Sequence, residues 1–331
     1  RLMLIDYATN LEVLFSNLML GRNEVRTEIL RHAKLGDLAS CRCVVRLAHS
    51  VVPKAPKAQA AKSKRKGIQL TAELEEIIDR LKRIATCWSV EDSTETYTFD
   101  FYITDATREA FGHFWQDGAF SLYKSLHKLA LLNDLAIPKP TRERLKREIK
   151  NRKFASRPPQ PQQEQMVFAF EEKFWIEDRS ESPVDYVSLS DGEHQQALIL
   201  GAYAMVRDTN AIFLLDEPES HFNPIWRVKF FQRLLDMTRN RGNQEVLLTT
   251  HAPFVPSDMP REQVMIFSRR AETGKVDVLE PSIETFGATF DRILEACFNI
   301  RPPNSFIAEK QIEELLASDN VEKIEAGFQE L

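Results

Sequence analysis

The sequence predicts an α/β fold with a helical insertion or arm region, and three observations carry that prediction. The run 211–215 (AIFLL) is apolar throughout, too short for an independent helix, and closed by Asp216-Glu217-Pro218, so it reads as a fully buried strand. A second short run, 245–250 (EVLLTT), ends in the same manner at His251-Ala252-Pro253. Residues 225–239 between them carry a helical pattern, and short strands alternating with helices are the mark of a parallel α/β arrangement.

Composition sets the outer limits. A chain of 331 residues can bury one large core or two moderate ones. No run of 18 or more apolar residues is present, so no membrane-spanning helix is expected. Nothing at the start resembles a signal peptide, and the chain begins at Arg1 inside a helix-like pattern, which reads as a fragment or processed product. The four cysteines (Cys41, Cys43, Cys87, Cys297) form no CxxC pair with zinc spacing; reduced thiols and a cytoplasmic location are the expectation. The net charge of −5 conceals segregation. Residues 53–66 carry six positive charges and no acid, residues 141–153 carry seven against two acids, and the rest is correspondingly acidic. Basic islands on an acidic body are either a footprint for nucleic acid or solvated surface.

Taken in order, residues 2–20 and 25–49 read as helical, punctuated by Gly21 and Gly36. Residues 51–67 are rich in Ala, Lys and Pro and read as an exposed flexible basic insertion. A helix over 70–86 follows, with Leu74, Ile77, Ile78 and Leu81 as its apolar stripe. Residues 97–103 alternate with period two, a strand, and Thr104 or Asp105 can cap a helix running through Phe114. An amphipathic helix over 121–136, a basic helix from Thr141 and a Pro/Gln linker at 156–163 come next. Residues 166–170 and 174–177 read as two strands of a hairpin, and 264–267 with 275–279 as a second hairpin around Thr273-Gly274. Residues 286–298 form a packing helix, and two short amphipathic helices close the chain from Ile307. These patterns divide the chain into 1–93 (helical), 94–165 (strand, helical arm and linker), 166–284 (an α/β core that holds the motifs described next) and 285–331 (C-terminal helices).

Three motifs carry chemistry. Asp216 and Glu217 stand at a strand end, where α/β sheets place ligand crevices; one acid can hold Mg²⁺ through its water shell while the next polarises an attacking water. Ser190 is a helix N-cap with Glu193 at capping-box spacing and Gly192 between them, and a capped helix start offers backbone N–H groups to a phosphate. His251, after the second strand, can reach a phosphate or a water. Each has a plainer reading taken singly: an acidic turn, a capped helix, a structural histidine.

Their order and spacing are more specific. Leu189-Ser-Asp-Gly-Glu193, Ile212-Phe-Leu-Leu-Asp-Glu-Pro218 and Thr250-His251 together resemble the signature motif, Walker B and switch histidine of an ABC-type P-loop NTPase head, specifically its C-terminal half. Glu219-Ser-His-Phe-Asn-Pro224 resembles the D-loop of the SMC-like branch; the resemblance covers residues 187–254. The Ser-Asp-Gly-Glu form is similar to ATPases of bacterial anti-phage defence systems: restriction-associated, Septu-type or retron-associated. The resemblance implies ATP and Mg²⁺ as cofactors. It gives Asp216 the metal's water shell, Glu217 the attacking water and His251 the γ-phosphate. Ser190, Gly192 and Glu193 would bind nucleotide held by a second copy, with Ser220, His221 and Asn223 lining that interface. Hydrolysis would then need a homodimer or higher even-numbered oligomer, and the output would be control of a partner nuclease, HNH-type included, or of a DNA, RNA or retron reverse-transcriptase complex. Lys62, Lys64, Arg65, Lys66, Arg142, Arg144, Arg147 and Lys150 are the nucleic-acid candidates.

The sequence departs from the pattern in two places. Asp191 stands where many relatives carry glycine, adding negative charge beside a phosphate site. No GxxxxGK[ST] occurs: Gly21-Arg-Asn-Glu and Lys66-Gly67 lack the spacing. The family places that motif well before the signature, so the expectation is that it lies upstream of Arg1; a degenerate head that binds no nucleotide is the alternative. A scaffold that only assembles a nuclease with a nucleic acid, and a DNA-repair ATPase of the SMC-like branch, are the competing functions. Intrinsic nuclease activity finds no TOPRIM-like or HNH-like cluster to support it, and a scattered Arg/Glu/His set of the anticodon-nuclease kind is the form it could still take.

Overall fold

The computed structural model describes residues 10–32, 35–47, 68–137, 139–151, 166–176, 179–185, 190–207, 210–238, 244–270, 272–301 and 305–317. The chain divides into two compact units, Arg1–Ala211 with Arg241–Gln244, and Ile212–Asn240 with Glu245–Leu331.

The first unit is built on a five-stranded antiparallel sheet of β1 (Leu35–Arg46), β2 (Cys87–Glu91), β3 (Thr96–Tyr102), β4 (Phe168–Ile176) and β5 (Arg179–Asp185), in the order β2-β3-β1-β4-β5. The central strand β1 falls where a helical pattern is expected over 25–49; only α2 (Asn23–His32) is helical there. Leu38, Cys41, Cys43, Val44 and Val45 are all buried on β1, which is the central strand, paired on its two edges by β3 and by β4. Nearly continuous burial erases the period-two signature, and the apolar spacings that remain imitate a helix. Arg42 shows the pairing most clearly. It lies between Asp100 on β3 and Glu171 on β4, and its guanidinium donates to Asp100 from Nε at 2.6 Å and Nη2 at 3.1 Å. The hydrogen bond and charge of Asp100 raise the Arg42 pKa.

Helices α1 (Asn10–Leu20), α3 (Ala72–Ile84), α4 (Asp105–Phe114), α5 (Ala119–Ala130) and α7 (Asp191–Met205) also belong to this unit. The caps follow the sequence: Thr71 accepts from the Leu74 amide at the start of α3, and Thr104 forms a reciprocal capping box with Thr107 at α4. The helix expected over 121–136 stops at Ala130 and tightens into a 3₁₀ stretch, Leu131–Ala136. The two strands expected at 166–170 and 174–177 are one continuous β4, and its hairpin partner is β5. Phe15, Phe101, Phe111, Phe170 and Trp115 form the aromatic core, with ring centroids 5.3–6.5 Å apart. Helices α1 and α7 approach closely at Gly201, where Asn17 Nδ2 donates to the Gly201 carbonyl at 3.0 Å and to Val13 O at 2.8 Å. The basic helix is α6 (Lys139–Lys150).

The second unit holds a parallel pair, β6 (Ile212–Asp216) and β7 (Glu245–Thr249), with α8 (Pro224–Thr238), α9 (Phe254–Ser257), the hairpin β8 (Ile266–Arg269) and β9 (Val276–Leu279), α10 (Phe290–Phe298) and α11 (Phe306–Leu316). The expected fully buried strand at 211–215 is corrected here: Ile212 and Leu214 are 65% and 64% exposed, and Leu247 beside Leu214 is 51% exposed. One face of this two-stranded sheet is therefore open among the described residues, while Phe213, Leu215, Val246 and Leu248 turn to the half-buried face. The packing helix expected from residue 286 begins only at Phe290. Gly274 takes a positive φ of 66° in the β8–β9 turn, which glycine adopts without a Cβ clash.

Candidate active site at the ends of the parallel strands

The parallel register sets Asp216 beside Thr249 at the carboxyl ends of β6 and β7. One more rung extends the ladder, where the Glu217 amide donates to the Thr249 carbonyl at 3.0 Å. That bond holds Glu217 in a left-handed backbone conformation, φ 43°, which a non-glycine residue adopts at a cost of about 1 kcal/mol or more. Beyond it the chain turns sharply: the Ser220 amide donates to Glu217 O at 3.1 Å and the Phe222 amide to Glu219 O at 3.0 Å. Buried Pro218 and Phe222 anchor the turn.

The turn re-aims the Glu217 side chain at its neighbour. His251 Nε2 lies 3.1 Å from Glu217 Oε1, and both side chains remain accessible. Asp216 is exposed, and its Oδ1 accepts from the Thr249 hydroxyl at 2.5 Å. A single exposed carboxylate beside a threonine hydroxyl suits Mg²⁺, which keeps most of its water shell and takes phosphate oxygens alongside one or two carboxylates. The residues present therefore fit that ion.

Of the other expected interface residues, Asn223 is occupied as the N-cap of α8, its Oδ1 accepting from the Trp226 amide at 2.9 Å ahead of Pro224 at the first helical position. Ser220 and His221 are exposed. The Ser220 carbonyl is fixed by Arg227 Nη2 at 3.0 Å, and Arg227 Nε holds the Phe222 carbonyl at 2.8 Å. The sequence gives no role to Arg227 or Thr249, and it places Thr250 and Glu219 within motifs without assigning either a task. Glu219 is the most consequential of these. It is 3% exposed, and it accepts from the Thr250 hydroxyl. An acid in a polar turn reads as solvated, and only burial distinguishes it.

Ser190, Gly192 and Glu193 lie in the first unit, at the start of α7. The capping box forms as expected: the Ser190 amide donates to Glu193 Oε2 at 2.8 Å, Ser190 Oγ donates to the same oxygen at 2.9 Å, and the Glu193 amide donates back to Ser190 Oγ at 3.4 Å. Asp191 is exposed and Gly192 is buried. Two carboxylates in the first turn already complement the helix dipole, so an incoming phosphate meets competition for the same positive end.

Among the nucleic-acid candidates, Arg144, Arg147 and Lys150 are exposed on α6, Arg142 is half-buried, and Lys62, Lys64, Arg65 and Lys66 lie outside the described residues. No helix among the described residues is long and apolar enough to cross a membrane.

Residues 57–258 match the family described as "AAA domain, putative AbiEii toxin, Type IV TA system". No curated protein matches the chain. Among solved structures, the chain is similar to one described by the words "ATP-driven dimerization and DNA stimulated activation of SMC ATPases", at 11% identity and a TM-score of 0.28, covering 46% of this chain and 76% of that one. With the family match extending over more than half of its length, the chain belongs to this AAA-domain family of P-loop ATPases.

Proposed function

We propose that the protein is an ATP-dependent molecular switch of the ABC/SMC-like type, hydrolysing ATP at a head-to-tail dimer interface to control a partner nuclease or nucleic-acid complex in anti-phage defence. The observation that carries this reading is the pairing of Glu217 with His251 at 3.1 Å, beside Asp216, across the ends of two parallel strands. Residues 166–284 form the catalytic core in this reading, with residues 285–331 as its C-terminal helices.

Each side chain has a task that its position permits. Bound Mg²⁺ would neutralise charge on the phosphate oxygens; Asp216, exposed and steadied by Thr249, holds its water shell. Glu217, whose carboxylate stands accessible beside His251, orients the attacking water and takes its proton. His251 fixes the Glu217 carboxylate through Nε2 and contacts the γ-phosphate. Phosphoryl transfer is chiefly positioning and charge stabilisation, which suits an edge made of short, hydrogen-bonded turns. Ser190 and the α7 amides serve the nucleotide of a second copy. In that state the phosphate replaces Glu193 as the acceptor of the Ser190 hydroxyl.

The reading requires a phosphate cradle, and no GxxxxGK[ST] occurs in these 331 residues. Nucleotide binding and turnover are therefore measured on the full-length protein. Glu217→Gln is expected to bind ATP with Mg²⁺ as the parent does, and to turn it over at least ~100-fold more slowly. Equal turnover in parent and variant would sink the assignment.

A further inference from the structure

We propose that Glu219 is a positioning residue for hydrolysis, a buried carboxylate that grips the Thr250 hydroxyl and thereby holds the His251 turn against Glu217. The inference rests on the reading of Glu217 and His251 as the hydrolytic pair.

The geometry is a ladder of three rungs between two turns. On one side run Glu217, Pro218 and Glu219; on the other run Thr249, Thr250 and His251. The first rung is the Glu217 amide on the Thr249 carbonyl at 3.0 Å. The second is the Thr250 hydroxyl donating to Glu219 Oε1. The third is the functional contact itself, His251 Nε2 to Glu217 Oε1 at 3.1 Å. The middle rung reaches beyond Thr250, because the Ala252 amide donates to the same Thr250 oxygen at 2.9 Å. The residues on both sides of His251 are thus tied through one hydroxyl. A threonine hydroxyl has a single proton; here it goes to Glu219, and its lone pair takes the Ala252 amide. The arrangement has a fixed polarity and needs an acceptor at position 219.

Stability does not account for that acceptor. Glu219 is 3% exposed, and its second oxygen, Oε2, has no hydrogen-bond partner among the described residues. A buried carboxylate with an unsatisfied oxygen costs free energy that a leucine of similar volume would not. Its presence fits a demand of the site. His251 is exposed and lacks packing of its own, so its placement must come from its backbone, and that backbone is fixed by the grip of Glu219 on Thr250.

The test uses the full-length protein and three substitutions. Glu219→Leu removes the acceptor and keeps the volume; it is expected to lower kcat ~10- to 100-fold with KM for ATP nearly unchanged and no loss of thermal stability. Glu219→Gln keeps an acceptor oxygen and is expected to restore most of kcat. Thr250→Val should match Glu219→Leu, and the double substitution should be no worse than either single one. Independently of turnover, nuclear Overhauser contacts between the His251 ring and the Glu217 side chain should vanish in Glu219→Leu and persist in Glu219→Gln. Full kcat in Glu219→Leu, multiplicative loss in the double variant, or ring contacts that survive Glu219→Leu would each overturn the proposal. If the unaltered protein hydrolyses no ATP, the hydrolase reading fails, and the ring contacts alone decide the grip.

Discussion

Glu217 occupies a backbone conformation that suits few residue types, and its position separates catalytic from structural demand. With φ at 43°, a glycine would relieve the local strain, whereas a β-branched side chain would worsen it. Glu217→Gly is expected to be at least as stable as the parent and inactive, and Glu217→Val to be less stable than Glu217→Gly by about 1–2 kcal/mol, measured by urea unfolding. An equal or reversed order would mean that the turn relaxes around any residue. Glu284 offers a second test at this scale. Its carboxylate accepts from the amides of Phe286 and Arg261, each at 3.1 Å, which lowers its pKa, the Phe286 amide contributing most. A folded-state pKa below the unfolded value favours the native state above the ordinary glutamate range, and that contribution is lost as pH falls through the folded pKa. Glu284→Gln is therefore expected to melt below the parent at neutral pH, with the gap closing in acid. A gap that stays constant with pH would discount the ionised form.

Among the elements, α1 and α7 are packed closely enough to be read directly. A Cβ on Gly201 would meet Val13 Cγ1 at 2.9 Å and Asn17 Nδ2 at 3.0 Å, and Asn17 is buried with both its donor bonds in use. Gly201→Ala gains helix propensity but overpacks this contact, and a net loss of about 1–3 kcal/mol is expected in chemical unfolding. The start of α7 carries a double duty. Ser190 caps the helix and is also the proposed phosphate ligand, so Ser190→Ala removes both and is expected to cost about 1 kcal/mol of stability. Ser190→Asn keeps a capping oxygen. If Asn restores stability and turnover stays low, the hydroxyl has a role beyond the cap; if turnover follows stability in both variants, the cap is sufficient.

On the scale of the whole molecule, charge is the quantity that acts at a distance. The chain is net acidic, yet Arg144, Arg147 and Lys150 are exposed together on α6. Contacts from these side chains to phosphates would release counterions, and each lost contact should flatten the dependence of log affinity on log salt by about 1. Reversing all three to glutamate is expected to weaken binding of double-stranded DNA or RNA and to reduce that slope by about 3. An unmoved slope would make α6 a solvated face. The open face of the β6–β7 sheet, with Ile212, Leu214 and Leu247 exposed, lies beside Asp216 on the same side of the sheet.

Local signals were legible wherever neighbouring residues alone decide the outcome. The caps at Thr104 and Ser190, the stripe of α3 and the turn at Gly274 rest on contacts within a few residues, and all of them can be found by spacing. The P-loop ATPase family is likewise legible in the order of motifs around Asp216, Glu217 and His251. What spacing cannot carry is burial and pairing between distant segments. The strand character of β1 comes from two partners far along the chain, and it overrode a helix-like pattern. The exposure of β6 reverses the usual reading of an apolar run, because burial depends on which neighbours cover a face. Glu219 was hidden for the same reason: its grip on Thr250 joins two turns that sequence separation keeps apart, and only the parallel pairing of β6 with β7 brings them together.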